Sequence, residues 1–292
     1  MLVVDAHVHL YPPEVNRDPV AWAAARGEPH WATLCTRRRK DGRPVQTFPC
    51  VDELLTDMDA AGIERSLLLG WYWEQPESCV MQNRFYAECV RAHPDRLSAF
   101  ATVHPAAGAT ALAEVRRARD EGLIGLGELS PHAQRVSLAD PTWRELLALA
   151  GELNWPVNLH VTDAHTKPFP GRIETPEADF IGLVLEFPAI TFVLAHWGGG
   201  LAFDAENRPL RNLYYDTAAS PLMYGVEVWR RAVDAVGAER ILFGSDNPLR
   251  LYSKKVSGTG LAEFVHEAKS VLSSQELGLV LGGNAAKLLN LG

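Results

Sequence analysis

The sequence has little cysteine: Cys35, Cys50, Cys79 and Cys89 are the only four in 292 residues, and no two form a CxxC pair. That argues against a disulfide framework, and a reduced, cytoplasmic setting is the expectation. A long apolar segment is missing as well, and no basic stretch opens the chain, so neither a membrane span nor a secretory leader is expected. Basic residues are in deficit, with 28 Lys and Arg against 36 Asp and Glu and a net charge of −8. Nucleic acid, whose phosphates call for surplus cations, is therefore not an expected partner. There is no GxGxxG after a first strand and no GxxxxGK[ST], so a nucleotide-binding reading loses its main support.

What the chain does have is apolar material, 47% of its residues, patterned as alternating strands and helices. Short apolar runs read as strands at 2–9, 65–70, 96–103, 123–129, 156–161, 190–196, 212–217 and 240–246. Between most of them lie amphipathic stretches such as VDELLTDMDAAG and PTWRELLALAGELN. Eight βα units predict one (β/α)₈ barrel domain over residues 1–292, rather than an open doubly wound sheet. Residues 12–50 are rich in Pro, Arg and Trp and lack periodicity, and they read as a long loop inserted over the barrel mouth.

In such a barrel the chemistry belongs at the C-terminal strand ends. There the sequence places His7 and His9, Glu128, His160, His196 and Asp246, each after an apolar strand body. His7 and His9, two apart on one strand, share a face. Alone they are either two ligands for one ion or polar residues at a strand exit. Imidazoles and carboxylates together suit a borderline divalent ion, zinc first and manganese second. Such an ion would lower the pKa of bound water from 15.7 to roughly 7.

The ordered set DAHVHL, LH, AHWGGG, GSDNP and GGNAAKLLNL resembles the amidohydrolase superfamily, in particular its amidohydrolase-related branch, which also contains metal-dependent decarboxylases. The resemblance implies His7, His9, His160 and Asp246 as metal ligands, with His196 binding a second ion or orienting water. Asp246 would also accept the water's proton. Where many members with two ions carry a carboxylated lysine, this chain has Glu128, either a bridge between two ions or an acid behind one ion or in contact with substrate. One ion is favoured over two. The expected reaction is hydrolysis of a small amide, ester or lactone; the alternative is non-oxidative decarboxylation of a small carboxylic acid, and a non-catalytic barrel is the remaining reading.

Trp71 and Trp73 follow the second strand and are candidates to wall a pocket for a small-molecule substrate. His104 is a candidate lining residue, and Arg250, with Arg172 and Lys254, a candidate anion contact. The run Arg37-Arg38-Arg39-Lys40 is either a carboxylate clamp or a solvated face. His165 is a further residue within reach of the site. Asp216 can support a ligand if it faces inward, and Asp5 reads as structural. Self-association is possible on the family pattern.

Overall fold

The computed structural model describes every residue except 165, 253, 255–257 and 292, so His165 lies outside the described residues. Eight short strands follow one another: β1 (Val4–Val8), β2 (Arg65–Leu68), β3 (Leu97–Ala99), β4 (Leu126–Leu129), β5 (Val157–Leu159), β6 (Phe192–Leu194), β7 (Leu213–Asp216) and β8 (Ile241–Leu242). β1 to β3 form one parallel ladder and β4 to β8 another. Single bridges, Ala101 to Leu126 and Val8 to Asn247, join the two. On the β8 side the Ala6 amide also donates to the Phe243 carbonyl at 2.7 Å. The strands thus run round in chain order, in the α/β barrel architecture that the apolar runs predict.

The ladders are shorter than those runs. The expected strand 240–246 pairs only over Ile241–Leu242, and 190–196 only over Phe192–Leu194. Beyond the paired residues the chain leaves strand conformation: Asp246 has φ of 65° and His196 of 58°, left-handed values that no strand can continue through. The residues that leave the ladder are those the sequence marks for chemistry.

The stretch 12–50 is not the structureless loop its aperiodic sequence suggests. It holds three short helices, α1 (Pro13–Arg17), α2 (Pro19–Arg26) and α3 (Pro29–Cys35). Each carries a proline in its first turn, where a missing N–H costs nothing. Asp18 caps α2 by accepting from the Ala21 amide at 3.1 Å. With five to eight residues apiece, none repeats the 3.6-residue period often enough to register. Their stability comes from a separate aromatic core, in which Trp22, Trp31, Tyr11 and Trp73 pack with ring centroids 5.2–6.1 Å apart. Glu28, buried at the start of α3, pins this unit to the barrel by accepting from the Glu74 and Gln75 amides at 2.8 and 3.1 Å. Burial pushes its carboxyl up to about 7.

Two contacts carry the insertion across the mouth. His30 Nε2 donates to the Gly171 carbonyl at 2.8 Å, and the Arg37 guanidinium lies 4.9 Å from the centre of the Phe169 ring. Residues 30–37 follow β1 and residues 169–171 follow β5, strands that stand opposite each other in an eight-strand ring. The contact therefore forms a roof. A ribbon beside it pairs Gln46 antiparallel with Leu249, just beyond Asp246.

Candidate metal centre

β1 ends by aiming two imidazoles at one point. The His9 Nδ1 donates to the Leu69 carbonyl at 2.9 Å. A carbonyl can only accept, so this fixes the tautomer and leaves Nε2 bare. The His7 Nδ1 faces the Asp216 carboxylate at 2.9 Å, which orients His7 the same way. The two Nε2 atoms stand only 3.2 Å apart. Asp246 Oδ1 is 3.4 Å from the first of them, on His9, and 3.8 Å from that of His7. Ligands about 2.0 Å from a tetrahedral ion lie roughly 3.3 Å from each other, so this spacing fits one ion.

A second trio stands beside the first, formed by Glu128, His160 and His196. Glu128 Oε1 is 2.9 Å from His160 Nδ1 and 3.5 Å from His196 Nε2. The His196 Nδ1 donates to the Ala218 carbonyl at 3.1 Å, so its Nε2 is bare as well. The other oxygen of Glu128, Oε2, points to the first trio, 3.6 Å from His9 Nε2 and 3.9 Å from His7 Nε2. One carboxylate thus serves both groups.

This sorting differs from the expected ligand set. His160 does not join His7, His9 and Asp246; it stands with Glu128 and His196. The order of strands gives the reason. β8 adjoins β1, so Asp246 meets the two histidines of β1, while β4, β5 and β6 are consecutive and their exits converge.

The backbone is shaped to bring these exits together. After β6 the chain turns through left-handed His196, Trp197, Gly198 and Gly199. A Cβ on Gly199 would lie 2.7 Å from the Val161 side chain and 3.2 Å from the Thr162 carbonyl, so only glycine lets the β5 and β6 exits approach this closely. Non-glycine residues held at positive φ, here His196 and Asp246, are strained positions of the kind that cluster at functional sites.

The electrostatics call for a cation. All six side chains are buried or nearly so, with two carboxylates among four imidazoles. Burial drives the neutral form of His7, yet Asp216, Glu128 and Asp246 outweigh it and lift the imidazole to about 10. Burial and that neighbouring charge push His9 down to about 3. With His7 charged and His9 neutral, one proton lies between the two Nε2 atoms. A divalent ion satisfies the same demand with both rings neutral. Burial raises Asp246 to about 7, and burial is opposed at Glu128 by His160, which holds that carboxyl well below the usual range.

Two buried residues hold the trios in register. Asp216 faces inward at the end of β7, accepting from His7, from Asn158 Nδ2 at 3.0 Å, and from the His196 and Ala218 amides at 3.0 Å each. Asn158 escaped the sequence reading; its signal was one amide inside the apolar strand PVNLHV. Asp5 sits beneath, accepting from Ser245 Oγ at 2.5 Å and from the His7 amide at 3.2 Å, a structural role.

The other candidates divide. Trp71 meets His9 edge-on, with centroids 5.3 Å apart, and stacks on Tyr72 at 4.4 Å. Tyr72, not singled out by the sequence, lies 5.0 Å from the His160 ring. Trp73 does not face the mouth: it is fully buried in the aromatic core of the insertion, donating from Nε1 to Gln82 Oε1 at 2.7 Å. Residues 71–73 lie past β2 in irregular backbone, where strand alternation no longer holds, so Trp73 parts from Trp71. His104 caps the short turn Pro105–Ala107 by accepting from the Ala106 amide at 3.1 Å, and belongs to neither trio. Arg250 lies on the ribbon beside the mouth, its amide bonded to the Val45 carbonyl at 2.9 Å.

Comparison with known proteins agrees with this architecture. No curated protein sequence matches the chain. Among solved structures, it is similar to a 5-carboxyvanillate decarboxylase from Sphingomonas paucimobilis, at 17% identity over 99% of each chain with a TM-score of 0.75. It is also similar to a dihydroxybenzoic acid decarboxylase from Polaromonas sp. JS666 with bound manganese, at 19% identity over 99% of this chain and 97% of that one, TM-score 0.68. A probable 2-pyrone-4,6-dicarboxylic acid hydrolase from Acinetobacter baumannii is similar at 16% identity over 99% of this chain and 100% of the other, TM-score 0.64. These likenesses carry the fold. Among the described residues no helix is long and apolar enough to cross a membrane. The amidohydrolase family model matches residues 4–291, nearly the whole chain, and the protein is a member of that family.

Proposed function

We propose that this protein is a metal-dependent hydrolase of a small amide, ester or lactone, with two divalent ions held by His7, His9 and Asp246 and by Glu128, His160 and His196. One observation carries the proposal: Glu128 divides its two oxygens between the trios, Oε1 to His160 and His196, Oε2 to His9 and His7. A carboxylate so placed is the bridge a two-ion centre needs. Ions bound there supply Lewis acidity and hydroxide at neutral pH. Zinc suits the four imidazoles best, with manganese the second choice.

The chain's own residues do the rest. Asp216 and the Leu69 and Ala218 carbonyls fix His7, His9 and His196 in the ligating tautomer. Asp246, with Oδ1 toward β1 and Oδ2 toward His196, takes the proton released as water attacks. Trp71 and Tyr72 wall the site and limit water. Four free cysteines suit a reducing cytoplasm.

Non-oxidative decarboxylation is the second reading, and the similarity to two decarboxylase structures, one with manganese, favours it. Ions per chain and product together separate the two. Protein purified without added metal or chelator should hold about two ions and hydrolyse members of a lactone, ester and amide panel. About one ion per chain, with CO₂ released from a carboxylic acid panel and no hydrolysis, would replace hydrolysis by decarboxylation.

A further inference from the structure

Five cations crowd residues 37–43, four of them arginines, and three of the arginines are occupied. Arg38 donates to the Gly42 carbonyl at 2.8 Å, Arg39 to the Arg250 carbonyl at 2.7 Å, and Arg43 pairs with Asp41 at 2.7 Å. Arg37 is the exception. Among the described residues its side chain has no carboxylate and no hydrogen-bond partner, its Nε is buried, and its only ring contact is with Phe169. Leaving its buried Nε–H without an acceptor is costly.

Its place in the fold gives the cost a use. Arg37 belongs to the excursion after β1 and Phe169 to that after β5, so their contact spans the mouth directly over the strand exits. Cys35, two residues earlier, feels the charges of Asp246, Arg37 and Glu128 together, which places the end of α3 between roof and floor. Two more donors around the site lack acceptors. Gln46, 4% exposed on the ribbon beyond Asp246, has a buried and unpartnered Nε2, and so does Trp71 at its indole Nε1 beside His9. The floor is rich in acceptors and the roof offers unmatched donors. A ligand that completes both must present oxygen lone pairs upward.

We propose that the substrate is a small organic acid, and that Arg37 is a specificity-determining residue that holds its carboxylate at the roof, with Gln46 and Trp71 completing the acceptor's shell. The proposal rests on the mouth being the substrate site of the enzyme proposed above, and holds for either reaction: the group gripped is a remote acid in hydrolysis and the departing carboxylate in decarboxylation.

The test uses zinc-loaded protein and calorimetric titration with benzoate, salicylate and phthalate, each paired with its uncharged amide. At least one acid should bind roughly tenfold or more tightly than its amide, since the pair differs by one charge-assisted contact. Arg37→Met should remove that preference by weakening the acid and sparing the amide, Arg37→Lys should restore part of it, and Arg38→Met should change nothing. Equal binding of acids and amides, no binding by any acid, or an equal loss of both in Arg37→Met would overturn the clamp. The reaction is judged separately: an Arg37-dependent preference without turnover of the hydrolysis panel keeps the clamp and removes the hydrolase reading, while hydrolysis of uncharged esters with no acid preference does the reverse.

Discussion

Floor and roof of this barrel are built on opposite plans. On the floor, His7, His9 and His196 each have the nitrogen away from the site tied to a fixed acceptor, and Asp216 gathers four donors at once. On the roof, helices of five to eight residues rest on an aromatic cluster of their own, and Arg37, Gln46 and Trp71 keep donors without acceptors. The floor is over-determined before any ligand arrives, which suits ions and a fixed chemistry. The roof is incomplete until a ligand arrives, which suits selection among substrates. On the proposed reading, the contrast separates reaction from specificity along the barrel axis.

The sharpest way to break the contrast is at the shared carboxylate. Glu128→Ala should release metal from both trios, with elemental analysis falling from about two ions per chain toward none and turnover lost with it. Retention of both ions would show that Glu128 is not the bridge. Next comes the roof's own core. Trp73→Ala should cost about 3–5 kcal/mol in denaturant unfolding, because it opens a fully buried aromatic cluster, while a folded sample keeps its metal. A change in metal content at constant stability would place Trp73 at the mouth after all. A smaller effect is expected from Asp216→Asn, which should weaken metal binding roughly 10–100-fold in competition with a chelating dye, by loosening the grip on His7 Nδ1. Affinity equal to the parent's would mean that the floor tolerates an unanchored ligand.

The weakest effect is a pH dependence of the joint between roof and barrel. Glu28 is raised from 4.5 to about 7 in the folded chain, so the native state holds its proton more tightly than the unfolded state does. Its contribution to stability is therefore fullest below about pH 4.5, declines as pH rises, and is lost above about 7. Glu28→Gln should flatten that part of the stability profile between pH 5 and 8, read by chemical denaturation. Parallel profiles for the two proteins would remove Glu28 from the explanation.

Much of the floor was legible in the sequence, because apolar strands that end in His, Glu or Asp declare both the barrel and the residues at its mouth. The order of strands was legible for the same reason. Less visible was which nitrogen each imidazole turns inward; that depends on the Leu69 and Ala218 carbonyls, which sequence spacing does not encode. Nor does spacing show that the His160 ring stands nearest Glu128 and His196. Asn158 was hidden inside an apolar strand, and Trp71 and Trp73 look equivalent until the backbone sends them to opposite sides. The roof was the least readable, since its helices are too short to show a period and are held by aromatics from distant positions.

The measurement to make first is the number of ions per chain in protein reconstituted with zinc and freed of excess. About two, falling together when Glu128 is replaced, is the result that a bridge between two trios requires. About one ion, unaffected by Glu128→Gln and lost in His160→Ala, would contradict it and place His160 with His7, His9 and Asp246 around a single metal.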